Sequence, residues 1–322
     1  MNLDLIALGE PLLEFYGQKS GPLKLVQLFE RGWGGDTSNL TVAFARLGGN
    51  AGYITRIGDD DFGKSFIDLW KKEKIDTSNV KISKGEYTGI YFIAYNNGHE
   101  FTYYRKASAA SRLSFKDINE NYIAIAKIFH SSGISEAISR SCREAVLKTA
   151  KLAKSKGAIF SFDINYRPKL WPPEIATDYI NKTIKLADII FPSLEDLRLL
   201  YGLGKPEKLS RQILKKGPQI VVVKLGSEGC LITTKKASLK VSGFNVQAVD
   251  PTGAGDAFGG AILYGFLKNW DIEKMAVFAN AVGALTSCGK GAVQPIPKKK
   301  EADAFIKKRI KTVRITEINV QD

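Results

Sequence analysis

Histidine and cysteine are scarce in this chain, and the scarcity removes most of the chemistry they carry. His99 and His130 are the only histidines in 322 residues, which leaves a His-based triad or a His-rich metal site little to build on. The three cysteines, Cys142, Cys230 and Cys288, are odd in number and share no metal-like spacing. They argue for a reducing compartment and against a disulfide framework or a structural zinc. No apolar run is long enough to span a bilayer, and the N-terminus enters a strand pattern without a basic n-region or cleavage site. A cytoplasmic protein without a membrane partner is the expectation. Acidic residues are also few, 33 against 47 lysines and arginines, for a net charge of +14. The basic excess is scattered, with short clusters at Lys71-Lys72, Lys215-Lys216 and Lys298-Lys299-Lys300. With no long basic tract and no interleaved aromatics, nucleic acid is not the expected partner. Anionic small-molecule substrates, or a heavily charged surface, account for the charge at least as well.

What is present is a rhythm. Hydrophobic residues make up 44% of the chain and charged residues 25%, the balance of a globular protein. Short apolar runs at 5–8, 52–57, 128–130, 159–162, 189–191 and 220–223 read as strands. Helix-like stretches lie between and after them, at 38–47, 63–74, 141–154, 174–186, 193–200, 255–268, 272–286 and 299–310. This alternation predicts an α/β fold with a doubly wound, mostly parallel sheet flanked by helices. Residues 12–33 and 87–106 break the rhythm with alternating patterns, the second split by the hairpin-type turn Asn96-Asn97-Gly98-His99. We expect one domain over 1–322 in which these strands form a small β-sheet lid.

The most informative stretch is Asp250-Pro-Thr-Gly253-Ala254-Gly255-Asp256, followed by a small-residue apolar helix. A glycine-rich turn opening a helix leaves backbone N–H groups unpaired at the positive end of the dipole, which makes an anion site. Asp256 is out of place there, because a carboxylate repels a bound phosphate. Two readings follow: a base that takes a proton from a hydroxyl attacking phosphorus, or a plain helix cap. Gly58-Asp-Asp-Asp-Phe-Gly63-Lys64-Ser65 matches the spacing of a phosphate-binding loop and sits between a strand and a helix. Asp59, Asp60 and Asp61 argue against that role, since like charges about 4 Å apart repel by on the order of 4 kcal/mol at surface-like dielectric. An acidic helix start is the better reading.

Weaker signals converge on one end of the sheet. Gly34-Gly35-Asp36-Thr37-Ser38-Asn39 is a second glycine turn opening a helix, suited to a small polar ligand or simply to capping. Tyr103 and Arg105 share a strand face in the lid, with Tyr91 on the partner strand. They make a stacking wall and a bidentate clamp for a carboxylated sugar, or else a surface or subunit contact. Asn165 and Arg167 lie just past one strand, and Lys224, Gly226, Ser227 and Gly229 just past another, where ligands of open α/β sheets gather.

On these residues the chain resembles the ribokinase-like (PfkB) carbohydrate kinases over nearly its whole length, both glycine turns standing in the family's order. Within the family it is most similar to 2-keto-3-deoxygluconate kinases, through Gly9-Glu10-Pro11, Tyr103-Tyr-Arg105-Lys106, Ser111-Arg112-Leu113 and Asp163-Ile-Asn165-Tyr-Arg167-Pro168-Lys-Leu-Trp171. The resemblance implies ATP- and Mg2+-dependent phosphorylation of a sugar acid at its C6 hydroxyl, with 2-keto-3-deoxygalactonate as a further substrate. It makes Asp256 the base and gives the N–H groups of Gly253, Ala254 and Gly255 the developing phosphate charge. It places Gly34, Gly35, Tyr91, Tyr103, Arg105 and Arg167 at the substrate. Asn165, Arg167, Ser193, Lys224, Gly226, Ser227, Gly229, Gly253, Gly255 and Asn280 fall around ATP. The family's Asn-x-x-Glu segment reads Ser193-Leu-Glu195-Asp196 here, so Glu195 or Asp196 would serve the metal through water, with Asp196 preferred. The loop 287–292 corresponds to a monovalent-cation loop, which implies K+. Pairing through the lid implies a homo-oligomer. A kinase for a neutral sugar or nucleoside is the nearest alternative, and a basic nucleic-acid-binding protein that retains only the fold is a remote one.

Asp256→Asn is expected to fold and bind ATP while losing roughly 10²- to 10⁴-fold in turnover. A wild-type-like kcat in that variant removes Asp256 as the base.

Overall fold

A computed structural model describes residues 3–96 and 98–318. In chain order the strands are β1 (Leu3–Leu8), β2 (Leu12–Gly17), β3 (Phe29–Gly34), β4 (Ala51–Gly58), β5 (Val80–Ser83), β6 (Ile90–Tyr95) and β7 (His99–Tyr104). They continue with β8 (Ala126–Ser132), β9 (Ile159–Asp163), β10 (Ile189–Phe191), β11 (Ile220–Lys224), β12 (Cys230–Thr234), β13 (Ser238–Val241) and β14 (Ile315–Ile318). Among the described residues they form a ten-stranded sheet, ordered β14-β13-β12-β11-β10-β9-β8-β1-β4-β5, and a four-stranded sheet, ordered β3-β2-β6-β7.

From β5 through β11 each neighbouring pair in the large sheet is parallel. Such strands are covered on both faces and read as continuous apolar runs, which is why they were legible. In β1 the side chains of Leu5 and Ala7 enter one core, while Leu3, Ile6 and Leu8 enter the other. The first core is closed by the helices Asp36–Arg46, Ala254–Leu267 and Ile272–Ser287, the second by Arg140–Ser155 and Pro173–Ile184. The helix Ala254–Leu267 is apolar on nearly all sides and lies inside the protein, as that composition requires. The strand order reverses at β1, between β4 and β8, and the carboxyl ends there open onto the candidate site. No described helix is long and apolar enough to cross a membrane.

The lid strands fall where the alternating patterns stood. β2 runs antiparallel to β3 and parallel to β6, and β6 pairs antiparallel with β7. Leu12, Tyr16, Tyr91 and Ile93 form the lid's own small core. Of the hairpin turn, Asn97 lies outside the described residues, and Asn96 N–H donates to the Gly98 carbonyl at 3.0 Å.

Three antiparallel strands, β12, β13 and β14, extend the sheet beyond what the apolar runs indicated. β13 and β14 are four residues each, and the outermost, β14, is largely exposed, so neither carries a continuous apolar signal. The acidic turn at 58–65 is a helix start. Asp60 caps the helix Asp61–Lys72 by accepting from Gly63 N at 2.7 Å, and it also accepts from Thr88 N at 2.7 Å and Thr88 Oγ1 at 2.8 Å. Lys64 points outward to Asp61, so neither the amide nor the lysine of a phosphate loop is available.

Asp60→Ala removes a cap and leaves Thr88 without its acceptor. A loss of about 1–3 kcal/mol in chemical denaturation is expected, with turnover close to that of the parent in the same preparation.

Candidate active site

The turn at 250–253 has its shape imposed from two sides. Asp250 Oδ1 accepts from Thr252 N at 2.9 Å and Thr252 Oγ1 at 2.6 Å. Its Oδ2 accepts from Gly291 N at 3.1 Å and from the lid hydroxyl of Tyr95 at 3.0 Å. Gly253, at φ 76°, is the residue before the helix, and a Cβ there would collide with the Ala292 carbonyl oxygen. Only glycine fits both the left-handed backbone and that approach. Of the three expected amides, Ala254 N–H is already used, donating to the Pro251 carbonyl at 3.1 Å. The first-turn N–H of Gly255 has no intrahelical carbonyl to reach, so the anion site falls to Gly253 and Gly255.

Asp256 follows in the first turn, and its Oδ2 accepts from Asn39 Nδ2 at 2.8 Å. Desolvation and the nearby Asp36 carboxylate push its pKa up to about 7, against the opposing pull of Asn39 and Lys224. A carboxylate in that range is poised to take a proton at neutral pH. Asp36 is fixed by Thr37 N at 2.8 Å and by Asn165 Nδ2 at 3.0 Å. Asn165, at φ 36°, therefore reaches the Asp36 turn.

At the ends of β9 and β11, Lys224 Nζ donates to Asp163 Oδ2 at 2.5 Å. Burial works against the lysine's charge, yet Asp163, Asp196 and Asp256 outweigh it and its pKa is raised. Burial lifts Asp163 to about 6 despite Lys224, and its Oδ1 is buried without a partner.

At the lid end, Tyr91 and Tyr103 face each other across the strand pair with ring centroids 5.5 Å apart. Tyr91 itself is buried, and its hydroxyl donates to Glu14 Oε2 at 2.8 Å, so its polar end serves the lid interior. The Tyr91 ring packs against Gly34, and the Glu10 carbonyl against Gly35, which accounts for both glycines by packing. Arg105 lies over the Tyr103 ring, 5.6 Å from its centroid, but its guanidinium is paired with the buried Glu10. This corrects the expectation that both arginines await a substrate's charge: Arg105 already has a counter-ion. Arg167 does not. It is exposed, donates to the Tyr166 carbonyl at 3.0 Å, and forms no ion pair among the described residues.

The turn from β11 to β12 leaves Gly226 and Ser227 exposed, with open space above Gly226. Asn280 is not free there: its amide donates to the Val241 and Ser242 carbonyls at 3.2 Å each, tying its helix to the end of β13. Ser193 and Asp196 form a capping box on the helix Leu194–Tyr201. Asp196 Oδ2 accepts from Ser193 N and Oγ at 2.7 Å each, and Oδ1 accepts from Tyr166 N at 2.8 Å. The departure from Asn-x-x-Glu thus has a structural account, and it occupies both Asp196 oxygens, while Glu195 is exposed.

Glu10 and Glu14 are buried beside these groups, and the sequence assigned neither a role of its own: each is an acid in an otherwise apolar segment. Glu14 links the lid to the 287–292 loop by accepting from Ala292 N at 3.0 Å, and burial lifts it to about 7.

Comparison with known proteins is consistent over the whole chain. The family model for pfkB family carbohydrate kinases matches residues 2–299. A 2-dehydro-3-deoxygluconokinase of Thermoproteus tenax is 33% identical over 95% of this chain and 94% of its own length. Fructokinase-1 of Zea mays is 34% identical over 94% and 98%. A solved ribokinase II from E. coli, in complex with ATP and Mg2+, superposes with a TM-score of 0.90 at 29% identity, over 95% of this chain and all of its own.

Asp256 accepts a proton only when ionised, so turnover is expected to fall about tenfold per pH unit below about 7. Folding stability runs the other way. The folded state holds the proton from the ordinary 3.8 up to about 7, so stability falls as pH rises through that window. Asp256→Asn should therefore melt above the parent at pH 8 and lose that advantage near pH 4; a lower melting point at pH 8 contradicts the assignment of strain to this carboxylate.

Proposed function

Because the chain belongs to the pfkB family of carbohydrate kinases, we propose that this sugar kinase transfers the γ-phosphoryl group of ATP to the C6 hydroxyl of 2-keto-3-deoxygluconate. Asp256 takes the hydroxyl proton as the oxygen attacks phosphorus. The new O–P bond replaces the bridging bond to ADP, which leaves with the electron pair. The Gly253 and Gly255 amides, with the helix dipole behind them, hold the charge that develops on the transferred group.

ATP as donor, with Mg2+, is supported by the nucleotide complex of the E. coli relative and by the open backbone at Gly226 and Ser227. No three metal-binding side chains converge among the described residues. That fits an ion held chiefly by phosphates and water, with the partnerless Asp163 Oδ1 and the exposed Glu195 as the available acids and Asp196 contributing through water. Bound magnesium neutralises phosphate charge. A potassium ion would belong with the 287–292 loop. Assembly through the lid edges β3 and β7, and a cytoplasmic setting in keeping with three unpaired cysteines, complete the proposal.

One observation carries the substrate: Arg167, a guanidinium with no acid partner, beside Tyr103. Tyr103 is raised by burial while Arg167 pulls it back, which puts the two within electrostatic reach. A sugar carboxylate supplies the missing counter-charge. Neutralisation of Arg105 by Glu10 favours a second reading, a neutral hexose such as fructose, as in the maize relative.

An ADP-release assay across 2-keto-3-deoxygluconate, 2-keto-3-deoxygalactonate, fructose and ribose separates the two. The acids are expected to give the higher kcat/KM, and Arg167→Ala to cut it for acids by about 10- to 100-fold, the size of a charged hydrogen bond, with little change for fructose. Equal losses on acids and fructose would leave the neutral-sugar reading standing.

A further inference from the structure

Glu10 lies just beyond β1, 1% exposed, in a place that its charge does not favour. Its Oε2 accepts from Arg105 Nη2, and its Oε1 accepts from Ser108 Oγ at 2.9 Å. Gly89 lies alongside it, where an added Cβ would be 3.2 Å from Oε1. The partner guanidinium is almost as enclosed, at 10% side-chain exposure, and its Nε–H is buried without an acceptor. Arg105 therefore carries a charge that Glu10 cancels at contact. The other acid within reach is Asp36, which Asn165 and the Thr37 amide already hold in place.

We propose that Glu10 is a specificity-determining residue: by neutralising and orienting Arg105, it leaves Arg167 as the one guanidinium at the sugar end with no contact counter-ion, and so sets how far the site favours acidic over neutral sugars. The inference rests on the sugar-end reading above. A substrate carboxylate approaching Arg105 meets the attraction of the guanidinium and, a few ångströms behind it, the repulsion of Glu10. A neutral hydroxyl carries no charge for either group to act on. A site built this way takes sugar acids through Arg167 and retains a measurable rate on neutral sugars. It is a setting between two substrate classes, held by one buried carboxylate.

The test is the ratio of kcat/KM for 2-keto-3-deoxygluconate to that for fructose, in the parent, Glu10→Gln, Arg105→Gln and the double variant. Glu10→Gln keeps the shape and an oxygen acceptor but uncovers the Arg105 charge, and the ratio should rise by on the order of tenfold. Arg105→Gln leaves Glu10 without the counter-charge that opposes its burial, so this variant and the double variant are assayed at alkaline pH, where the bare carboxylate is ionised and the ratio in Arg105→Gln should fall by a similar factor. The double variant removes both buried charges together, so it is the form most certain to fold, and its ratio should return to that of the parent. An unchanged ratio in Glu10→Gln, or a double variant as depressed as Arg105→Gln, overturns the proposal. If Glu10→Gln does not fold, as judged by thermal melting, the comparison of Arg105→Gln with the double variant decides it alone. A parent that prefers fructose defeats the substrate reading, but the direction of each shift still decides the role of Glu10.

Discussion

One ammonium group makes the site possible. Lys224 stands at the end of β11 in contact with Asp163 and within electrostatic reach of Asp196 and Asp256. Without it, several carboxylates would be crowded at one sheet edge with no positive charge among them, an arrangement that proteins resolve by protonation or by unfolding. With it, Asp163 and Asp256 are raised only to about 6 and about 7. The lysine therefore tunes as well as holds, keeping a set of acids near neutrality where each small change of environment alters which one carries a proton. The parallel sheet supplies the geometry, since adjacent strands end side by side and their last residues must meet.

The lid joins this edge through acids of its own. Asp250 and Glu14 each bridge lid and body, Asp250 by accepting from Tyr95 and from Gly291, Glu14 by accepting from Tyr91 and from Ala292. Ala292 in turn presents its carbonyl to Gly253. The anion turn is thus fixed from the lid side as firmly as from its own helix.

How much of this was legible depends on the distance over which each signal acts. The strands of the parallel sheet carry continuous apolar runs and announce themselves locally. The turn from Asp250 to Asp256 did so too, because glycines, proline and an acid within a few residues constrain the backbone and the charge together. Arg105 looked like a free clamp because its counter-ion, Glu10, lies 95 residues away. Local residues alone leave Asp256 balanced between cap and base, because the amide that holds its carboxylate, that of Asn39, lies 217 residues away. Local sequence likewise does not reveal that the Asn280 amide nitrogen and both Asp196 oxygens already have partners within the protein. The four-residue strands β13 and β14 were missed for a different reason: such short strands gain their definition from pairing, as when Ser238–Val241 meets Ile315–Ile318, and not from composition.

The strand order also fixes a history for each molecule. β1 comes first in sequence and lies in the interior of the large sheet, and from β9 to β14 every strand pairs with the one before it. A chain emerging residue by residue can lay each new strand onto an edge that already exists, without threading or waiting for distant segments. The exception is the helix bearing Asp256, which packs onto the much earlier helix Asp36–Arg46. Asn39 and Asp256 are thus brought together late, and a ribosome-bound chain halted short of that helix would hold the parallel sheet with one face still largely uncovered.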